Sequence, residues 1–155
     1  GLQVSNKLWY SWNEMQRDTN ALCREVTLDN YNPNVIVGIA RGGLVPGLML
    51  SHWMNKPFKP IIAAMRDFPE WEDYLPRKSD ERVLVVDDIC DSGATFEKLT
   101  KILEERGNRV EVRFASLWWN NEVDFEPHYY VQEMAKDSTN TWIYFPWENW
   151  WNTPT

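Results

Sequence analysis

Residues 83–95, which read VLVVDDICDSGAT, place carboxylates and a small-residue turn where they could bind a phosphorylated sugar. Four apolar residues predict a buried parallel strand, and Asp87 and Asp88 follow at its carboxyl end. Asp91 comes next, and after it a turn of small residues opens a helical pattern. Turn amides and a helix N-terminus bind phosphate, whereas adjacent carboxylates bind sugar hydroxyls or hydrated Mg²⁺. The pattern therefore predicts a phosphate site beside a site for a sugar diol or a metal ion.

A second junction between a strand and a turn lies at residues 34–47, which read NVIVGIARGGLVPG. The apolar strand pattern ends at Ala40, and Arg41 is followed by Gly42 and Gly43 before an apolar helical stretch. Glycines leave backbone amides open to an anion, and the planar guanidinium binds phosphate oxygens in pairs. We expect this turn to bind a second anionic group, such as pyrophosphate.

Strand patterns alternate with helical patterns along the chain, which predicts an α/β fold with a parallel sheet flanked by helices. Ligands bind where the strands of such a sheet end, so both turns are expected to face one cleft. Residues 66–81 show no clear period and predict a flexible loop, either a lid or a surface insertion. We expect a single domain over residues 1–155. Three helices are predicted: one over 8–28, a second that follows the Arg41 turn and ends near 54, and a third over 96–106. The predicted strands cover 34–40, 57–64, 83–86, 110–117, 128–131 and 141–145.

The composition narrows the classes of partner. A net charge of −7 argues against a nucleic-acid or anionic membrane surface as partner. Two cysteines make a disulfide scaffold improbable and fit a reducing cytoplasm, and we expect no signal peptide or membrane span. The ten tryptophans suit a core, an interface or ligand stacking.

An acidic pair at a strand end is also typical of response-regulator receiver domains. In those domains the pair lies near the chain start, and later strands supply a phosphoacceptor Asp and then a Lys. Here the pair lies in mid-chain, and no later strand pattern offers Asp and Lys in that order. We therefore set the receiver interpretation aside.

Residues 83–95 resemble the phosphoribosyl-pyrophosphate (PRPP) motif of type I phosphoribosyltransferases. Residues 41–47 resemble the pyrophosphate loop of that family, especially in bacterial xanthine-guanine phosphoribosyltransferases. The resemblance implies a parallel five-stranded sheet, a small hood built from terminal segments (here about 120–155), and a cis bond before Arg41. It also implies that Asp87 and Asp88 hold the ribose and Mg²⁺, and that Asp91 and Arg41 are catalytic. The implied PRPP-binding residues are Arg41, Gly42, Gly43, Asp87, Asp88, Asp91, Ser92, Gly93, Ala94 and Thr95.

Residues 140–148, NTWIYFPWE, resemble the purine-binding hood of the same enzymes. The resemblance implies that Trp142 stacks on the base and that Ile143 reads the ring edge through its backbone. Those enzymes carry a Lys after the fourth core strand that donates to the purine O6, and the matching stretch around Leu117 has none. We assign Leu117 to the base site by this position, and the donor could be Asn120, Lys136 or water. A base with a 6-amino group is the other possibility.

The implied reaction is the transfer of 5-phosphoribosyl from PRPP to guanine, xanthine or hypoxanthine. Pyrophosphate and a nucleoside monophosphate are the products, Mg²⁺ is the cofactor, and Asp91 is the general base. Two alternatives stay open at this point, namely an enzyme for another base such as adenine and a nucleotide-sensing regulator without catalysis. The resemblance to the family also implies a homo-oligomer, either a dimer or a tetramer. A nucleic-acid or membrane partner is not expected.

Overall fold

The computed structural model of the protein describes residues 6–62, 82–105 and 110–154. Within these ranges the chain forms seven strands, four α-helices and one 3₁₀ helix. In chain order they are β1 (Asn6–Trp9), α1 (Trp12–Leu28), β2 (Val35–Ala40), α2 (Leu44–Met54), β3 (Phe58–Ile62), β4 (Arg82–Cys90), α3 (Ala94–Glu105), β5 (Glu111–Asn120), β6 (Tyr129–Met134), α4 (Lys136–Thr139), β7 (Thr141–Tyr144) and the 3₁₀ helix (Trp150–Asn152).

Five parallel strands form the main sheet in the order β3-β2-β4-β5-β6. The central strand β4 begins with apolar residues, and Val83, Leu84, Val85 and Val86 are at most 1% exposed. Strands of a parallel sheet that is covered on both faces typically consist of a continuous apolar run, instead of alternating apolar and polar residues. The predicted parallel sheet flanked by helices is confirmed.

Two core layers pack on the sheet. One layer contains Met15 and Leu22 of α1 with Leu50 of α2, and the other contains Phe96 of α3, whose ring centroid lies 4.6 Å from that of Phe114 on β5. Each such side chain contributes about 1.5–3 kcal/mol when it is withdrawn from water. The helices therefore fix the strands, and with them the turns at the strand ends.

The predicted hood from terminal segments is also present. Strand β1 pairs in parallel with β7, and the rings of Trp9 and Tyr144 stack with centroids 4.4 Å apart. The helix expected from residue 8 begins only at Trp12, because Ser11 caps it by accepting a hydrogen bond from the Glu14 amide (3.1 Å). The residues before Ser11 find their strand partner at the other end of the chain, so local periodicity misses that strand.

Two expectations need adjustment. Strand β4 continues through Asp87 and Asp88 to Cys90, so the acidic pair lies in the carboxyl-terminal part of the strand instead of following it. Strand β6 joins the main sheet, so the hood is narrower than residues 120–155. The predicted loop at 66–81 lies outside the described residues. No helix in the described part of the chain has both the length and the apolar character needed to cross a membrane.

Candidate active site

The two predicted turns meet at one edge of the main sheet. Strands β2 and β4 are parallel neighbours, so the Arg41 turn and the acidic pair leave the sheet side by side. A Cβ atom at Gly42 would collide with the Asp88 carboxylate, which explains why glycine follows Arg41. The peptide bond between Ala40 and Arg41 is cis, as predicted.

Three connected compartments form a cleft at this edge, and Asp88 borders all of them. We name them after the residue or the predicted ligand of each: the arginine compartment (about 660 Å³), the base compartment (about 200 Å³) and the phosphate compartment (about 190 Å³). The first lies between the Arg41 turn and the hood, the second between Asp91 and the hood, and the third along the turn after β4. Their characteristic lining residues are Arg41, Gly42 and Trp147 for the first, Asp91, Lys136, Trp142 and Ile143 for the second, and Asp87, Ser92, Gly93, Ala94 and Thr95 for the third.

The acidic pair is held by its own backbone. The Asp88 amide donates to Asp87 Oδ1 (2.8 Å), and the Ile89 amide donates to Asp88 Oδ1 (2.7 Å). Burial raises the pKa of the Asp87 carboxyl well above its ordinary value of 3.8, and the nearby charge of Asp88 raises it further. Burial also raises the pKa of Asp88, while the positive charge of Lys136 opposes that shift. The pair therefore favours a positive partner or a hydroxyl donor.

The turn after β4 has the form expected of a phosphate site. Gly93 has φ +77° and packs against Phe125, so any side chain there would be strained and would clash. Ser92 Oγ accepts a hydrogen bond from the Ala94 amide (3.2 Å) at the start of α3. Helix α3 thus points its N-terminus, with its partial positive charge, at the compartment.

Gly43 differs from the other residues predicted to bind PRPP. Its amide donates to the carbonyl of Ile39 (2.7 Å), and a Cβ there would collide with the Val86 carbonyl. Gly43 therefore brings β2, α2 and β4 together, and its amide is already engaged. Gly42 is the glycine of this pair that lines the cleft.

Asp91 lies in a network that the sequence did not indicate. Its Oδ2 atom pairs with Lys136 Nζ at the start of α4, and its Oδ1 atom accepts from Asn120 Nδ2 (3.2 Å). The buried Asn120 side chain also accepts a hydrogen bond from the Lys136 amide (3.1 Å). The end of β5 therefore joins the acidic turn to α4.

The three predicted base-binding residues have different positions. Trp142 on β7 is 50% exposed and presents its ring to the cleft, and Lys136 Nζ lies 5.0 Å from its centroid. Ile143 lines the same compartment, although its side chain is mostly buried. Leu117 does not reach the cleft, because its side chain is fully buried in the core layer that holds Met15. This position therefore faces the core, and a base-binding group cannot come from it.

Glu148 is a cleft residue that sequence reasoning missed. It borders both the arginine and the base compartments, and its Oε1 accepts a hydrogen bond from the Phe145 amide (3.3 Å). Burial raises its pKa, and the charge of Asp88 acts in the same direction while Arg41 opposes it. Its position directly after Pro146 and Trp147 of the hood segment was the available signal.

The cysteines do not supply nucleophilic chemistry. Burial raises the pKa of the Cys90 thiol to about 12, and the charges of Asp87 and Asp91 add to this effect. Burial likewise raises the pKa of the Cys23 thiol to about 12. Because the thiolate is the reactive form, neither residue is a nucleophile near neutral pH.

The comparisons with known proteins agree with this geometry. The family model described as a phosphoribosyl transferase domain matches residues 9–152. The chain belongs to the phosphoribosyltransferase family. A xanthine-guanine phosphoribosyltransferase of Cereibacter sphaeroides is 30% identical to it in an alignment that covers 89% of this chain and 84% of that protein. The corresponding enzyme of Idiomarina loihiensis is 28% identical over 96% of this chain and 91% of its own.

Solved structures extend the likeness to the whole fold. A purine phosphoribosyltransferase from Pyrococcus horikoshii superposes with a TM-score of 0.75 at 30% identity, covering 97% of both chains. A Helicobacter pylori xanthine-guanine-hypoxanthine phosphoribosyltransferase gives a TM-score of 0.77 at 23% identity, covering 93% of this chain and 95% of that one. The second comparison supports the fold alone. The family resemblance predicted from the sequence is confirmed.

Proposed function

We propose that the protein is a purine phosphoribosyltransferase of nucleotide salvage. It transfers 5-phosphoribosyl from PRPP to a purine base and releases pyrophosphate and a nucleoside monophosphate. The observation that carries this proposal is the convergence of Arg41, the Asp87–Asp88 pair, the phosphate turn and Trp142 on a single cleft. The names of the similar enzymes point to the same reaction.

The phosphate and arginine compartments take the two anionic ends of PRPP. The turn from Asp91 to Thr95, with the N-terminus of α3, binds the 5-phosphate, and the Ser92 and Thr95 hydroxyls add donors. Arg41 binds the pyrophosphate through its guanidinium and stabilises the negative charge that develops as pyrophosphate leaves. Asp87 and Asp88 hold the ribose hydroxyls between these two anionic ends.

Mg²⁺ is the proposed cofactor, and the donor set fits it. Asp87 and Asp88 are two adjacent carboxylates whose pKa values are raised, chiefly by burial, and a cation would favour their charged forms. Among the described residues, no group of three His, Cys, Asp or Glu side chains forms a complete ligand cage. Mg²⁺ commonly binds through one or two carboxylates together with substrate oxygens and water, which suits this pair. When bound, it would stabilise charge on the pyrophosphate.

The base lies in the remaining compartment. Trp142 offers an exposed aromatic face, and stacking on such a face contributes about 1–3 kcal/mol per base. Ile143 reads the ring edge with its backbone, and Asp91 accepts the proton that the ring nitrogen loses. The reacting nitrogen then lies between Asp91 and the ribose carbon held by Asp87 and Asp88.

We also infer the wider setting of the enzyme. Residues 1–155 act as a single domain. Exposed Trp150 and Trp151 (64% and 68%) support a homo-oligomer, because large aromatic side chains are enriched at interfaces. The two buried free cysteines and the acidic composition support a cytoplasmic location.

A turnover assay tests the proposal. The protein is incubated with PRPP, Mg²⁺ and guanine, xanthine, hypoxanthine or adenine, and nucleotide and pyrophosphate are quantified. We expect both products in equal amounts with at least one purine, and none when PRPP is omitted. PRPP binding without nucleotide formation from any base would contradict the proposal and favour a regulator.

A further inference from the structure

We propose that a buried pair, Asp18 and Tyr10, positions the hood over the base compartment. Asp18 lies on α1, and Tyr10 directly follows β1 of the hood. By accepting a hydrogen bond from the Tyr10 hydroxyl, Asp18 sets the place of β7 and of the stacking face of Trp142. Neither member of the pair is among the residues that line the three compartments, so both act through the hood. This inference rests on the proposed function and adds two positioning residues to it.

The hood is joined to the core by the residues that follow its two strands. Tyr10 follows β1, Phe145 follows β7, and both side chains are buried. The Tyr10 amide donates to the Tyr144 carbonyl (2.9 Å), which continues the pairing of the two strands. The rings of Tyr10 and Phe145 meet edge to face with centroids 5.7 Å apart, and Phe145 borders the base compartment. A shift of Tyr10 would therefore move β7 and a wall of that compartment together.

The Asp18 carboxylate lies where three parts of the molecule meet. It is 2% exposed, and its Oδ2 atom accepts from the Tyr10 hydroxyl and from Gln132 Nε2 (3.2 Å) on β6, the edge strand of the main sheet. Its Oδ1 atom accepts from Nε of the largely exposed Arg17 (3.1 Å). Helix α1, the sheet edge and the hood therefore share one acceptor.

The Tyr10 hydroxyl remains the donor in this pair. Burial raises the pKa of the hydroxyl, and the hydrogen bond to Asp18 and the charge of Asp18 raise it further. The Tyr10 ring also meets Trp118 of β5 edge to face, with centroids 5.6 Å apart. Aromatic packing and a directed hydrogen bond together define the orientation of the ring.

Stability alone does not account for a buried carboxylate at this place. Taking a charge out of water is costly, and apolar side chains of similar volume often stabilise such a site as well or better. Apolar packing tolerates several arrangements, however, whereas a hydrogen bond is directional. Asp18 thus suits a place where the hood must keep one orientation, because a shift of about 1 Å in a group that positions a substrate can cost about 100-fold in rate.

Variants of the pair test the inference against a matched control. Tyr10→Phe removes the hydroxyl, Asp18→Asn keeps an acceptor, and Asp18→Leu removes the acceptor at similar volume. The control is Tyr31→Phe, because the buried Tyr31 hydroxyl donates to the Val83 carbonyl (2.6 Å) at the end of β4 that lies opposite the cleft. For each protein we measure kcat/KM for the purine that the wild type converts fastest, the calorimetric Kd of PRPP without a base, and the Tm.

Tyr10→Phe and Asp18→Leu should each lose about 10- to 100-fold in kcat/KM for the base, with the Kd of PRPP within twofold of the wild type. Asp18→Asn should stay within about threefold, since its amide oxygen still accepts from Tyr10. The double variant Tyr10→Phe/Asp18→Leu should lose no more than either single variant, because all three lack the same contact, and its Tm should be at least that of Asp18→Leu. Tyr31→Phe should lower the Tm alone.

Four results would overturn the inference and leave the transferase function intact. They are wild-type base kinetics in Tyr10→Phe or the double variant, an equal loss of base turnover in Tyr31→Phe, a parallel loss of PRPP affinity in Tyr10→Phe, and a loss in Asp18→Asn as large as in Asp18→Leu. Absence of turnover by the wild type with every base would instead refute the proposed function, and this inference with it.

Discussion

The phosphate side and the base side of the cleft are built in different ways. On the phosphate side, polar contacts join residues one or two positions apart, such as the Asp88 amide with Asp87 and the Ala94 amide with Ser92. On the base side, Lys136 pairs with Asp91, which lies 45 residues away, and with Asn120, which lies 16 residues away. The proposed phosphate contacts therefore come from local turns, whereas the proposed base contacts depend on the tertiary fold.

This difference has a consequence for mutations. Local turns hold their shape through short-range hydrogen bonds, so a substitution there should act on ligand binding with little effect on its surroundings. The base side combines three elements, namely the acidic turn, the end of β5 and the hood. Substitutions there should change KM for the base and KM for PRPP unequally.

Replacing Asp87 and Asp88 together by Asn should have the largest effect. Loss of both charges removes the ribose and Mg²⁺ contacts, and we expect kcat/KM for PRPP to fall roughly a thousandfold. Initial rates measure the fall in kcat/KM, and calorimetric titration with PRPP, with and without Mg²⁺, measures the loss of binding. Wild-type affinity in the variant, or a Mg²⁺ dependence that survives, would show that the pair is not the ribose site.

Arg41→Lys should follow in size. The substitution preserves the charge but loses the planar fork, so we expect turnover to fall about a hundredfold while the protein stays folded. Initial rates at saturating PRPP, together with circular dichroism, distinguish the two effects. Full turnover with Lys would mean that a point charge suffices and that the bidentate contact is unnecessary.

Trp142→Ala examines the base side. Loss of the stacking face should raise KM for the base about 5- to 100-fold and leave KM for PRPP within twofold. Trp53→Ala on α2 is a matched control, because Trp53 is 48% exposed and lies away from the cleft. Equal changes in both KM values would indicate that the hood has collapsed.

The smallest expected effect is a change in thermal stability when Asp87 is replaced by Asn. Because the folded state raises the pKa of Asp87, it binds more protons than the unfolded state above the ordinary value of 3.8. Wild-type stability should therefore fall as the pH rises from that value through the raised pKa. At neutral pH, Asp87→Asn removes this cost, and we expect its melting temperature to exceed that of the wild type by about 2–4 °C.

Thermal melts between pH 4 and 8 check this expectation, with the exposed Asp124→Asn as the control. The gain of Asp87→Asn should shrink toward acidic pH and be absent in the control. A gain that does not vary with pH would assign the effect to packing instead of charge.

The same division explains what the sequence could predict. The parallel sheet is confirmed, and the Arg41 turn, the acidic pair and the residues after β4 are contiguous patterns that can be located from the sequence, although β4 extends through the acidic pair. The pairing of β1 with β7 and the place of Lys136 depend on residues far apart in the chain, and one sequence carries no direct signal for them. The start of α1 is set locally by the Ser11 cap, which the periodicity of apolar residues does not register. Leu117 was assigned by matching a position in a strand, yet the pleat of β5 turns that side chain into the core.

The central claim is that both sides of the cleft hold one molecule, and a nucleotide that spans them tests it most directly. Guanosine 5′-monophosphate and PRPP are titrated calorimetrically into the wild type, into Ser92→Ala/Thr95→Val on the phosphate side, and into Trp142→Ala on the base side. Both variants should bind the nucleotide about tenfold more weakly or worse, and only the phosphate-side variant should lose affinity for PRPP. Nucleotide binding that is unchanged in either variant would contradict the account.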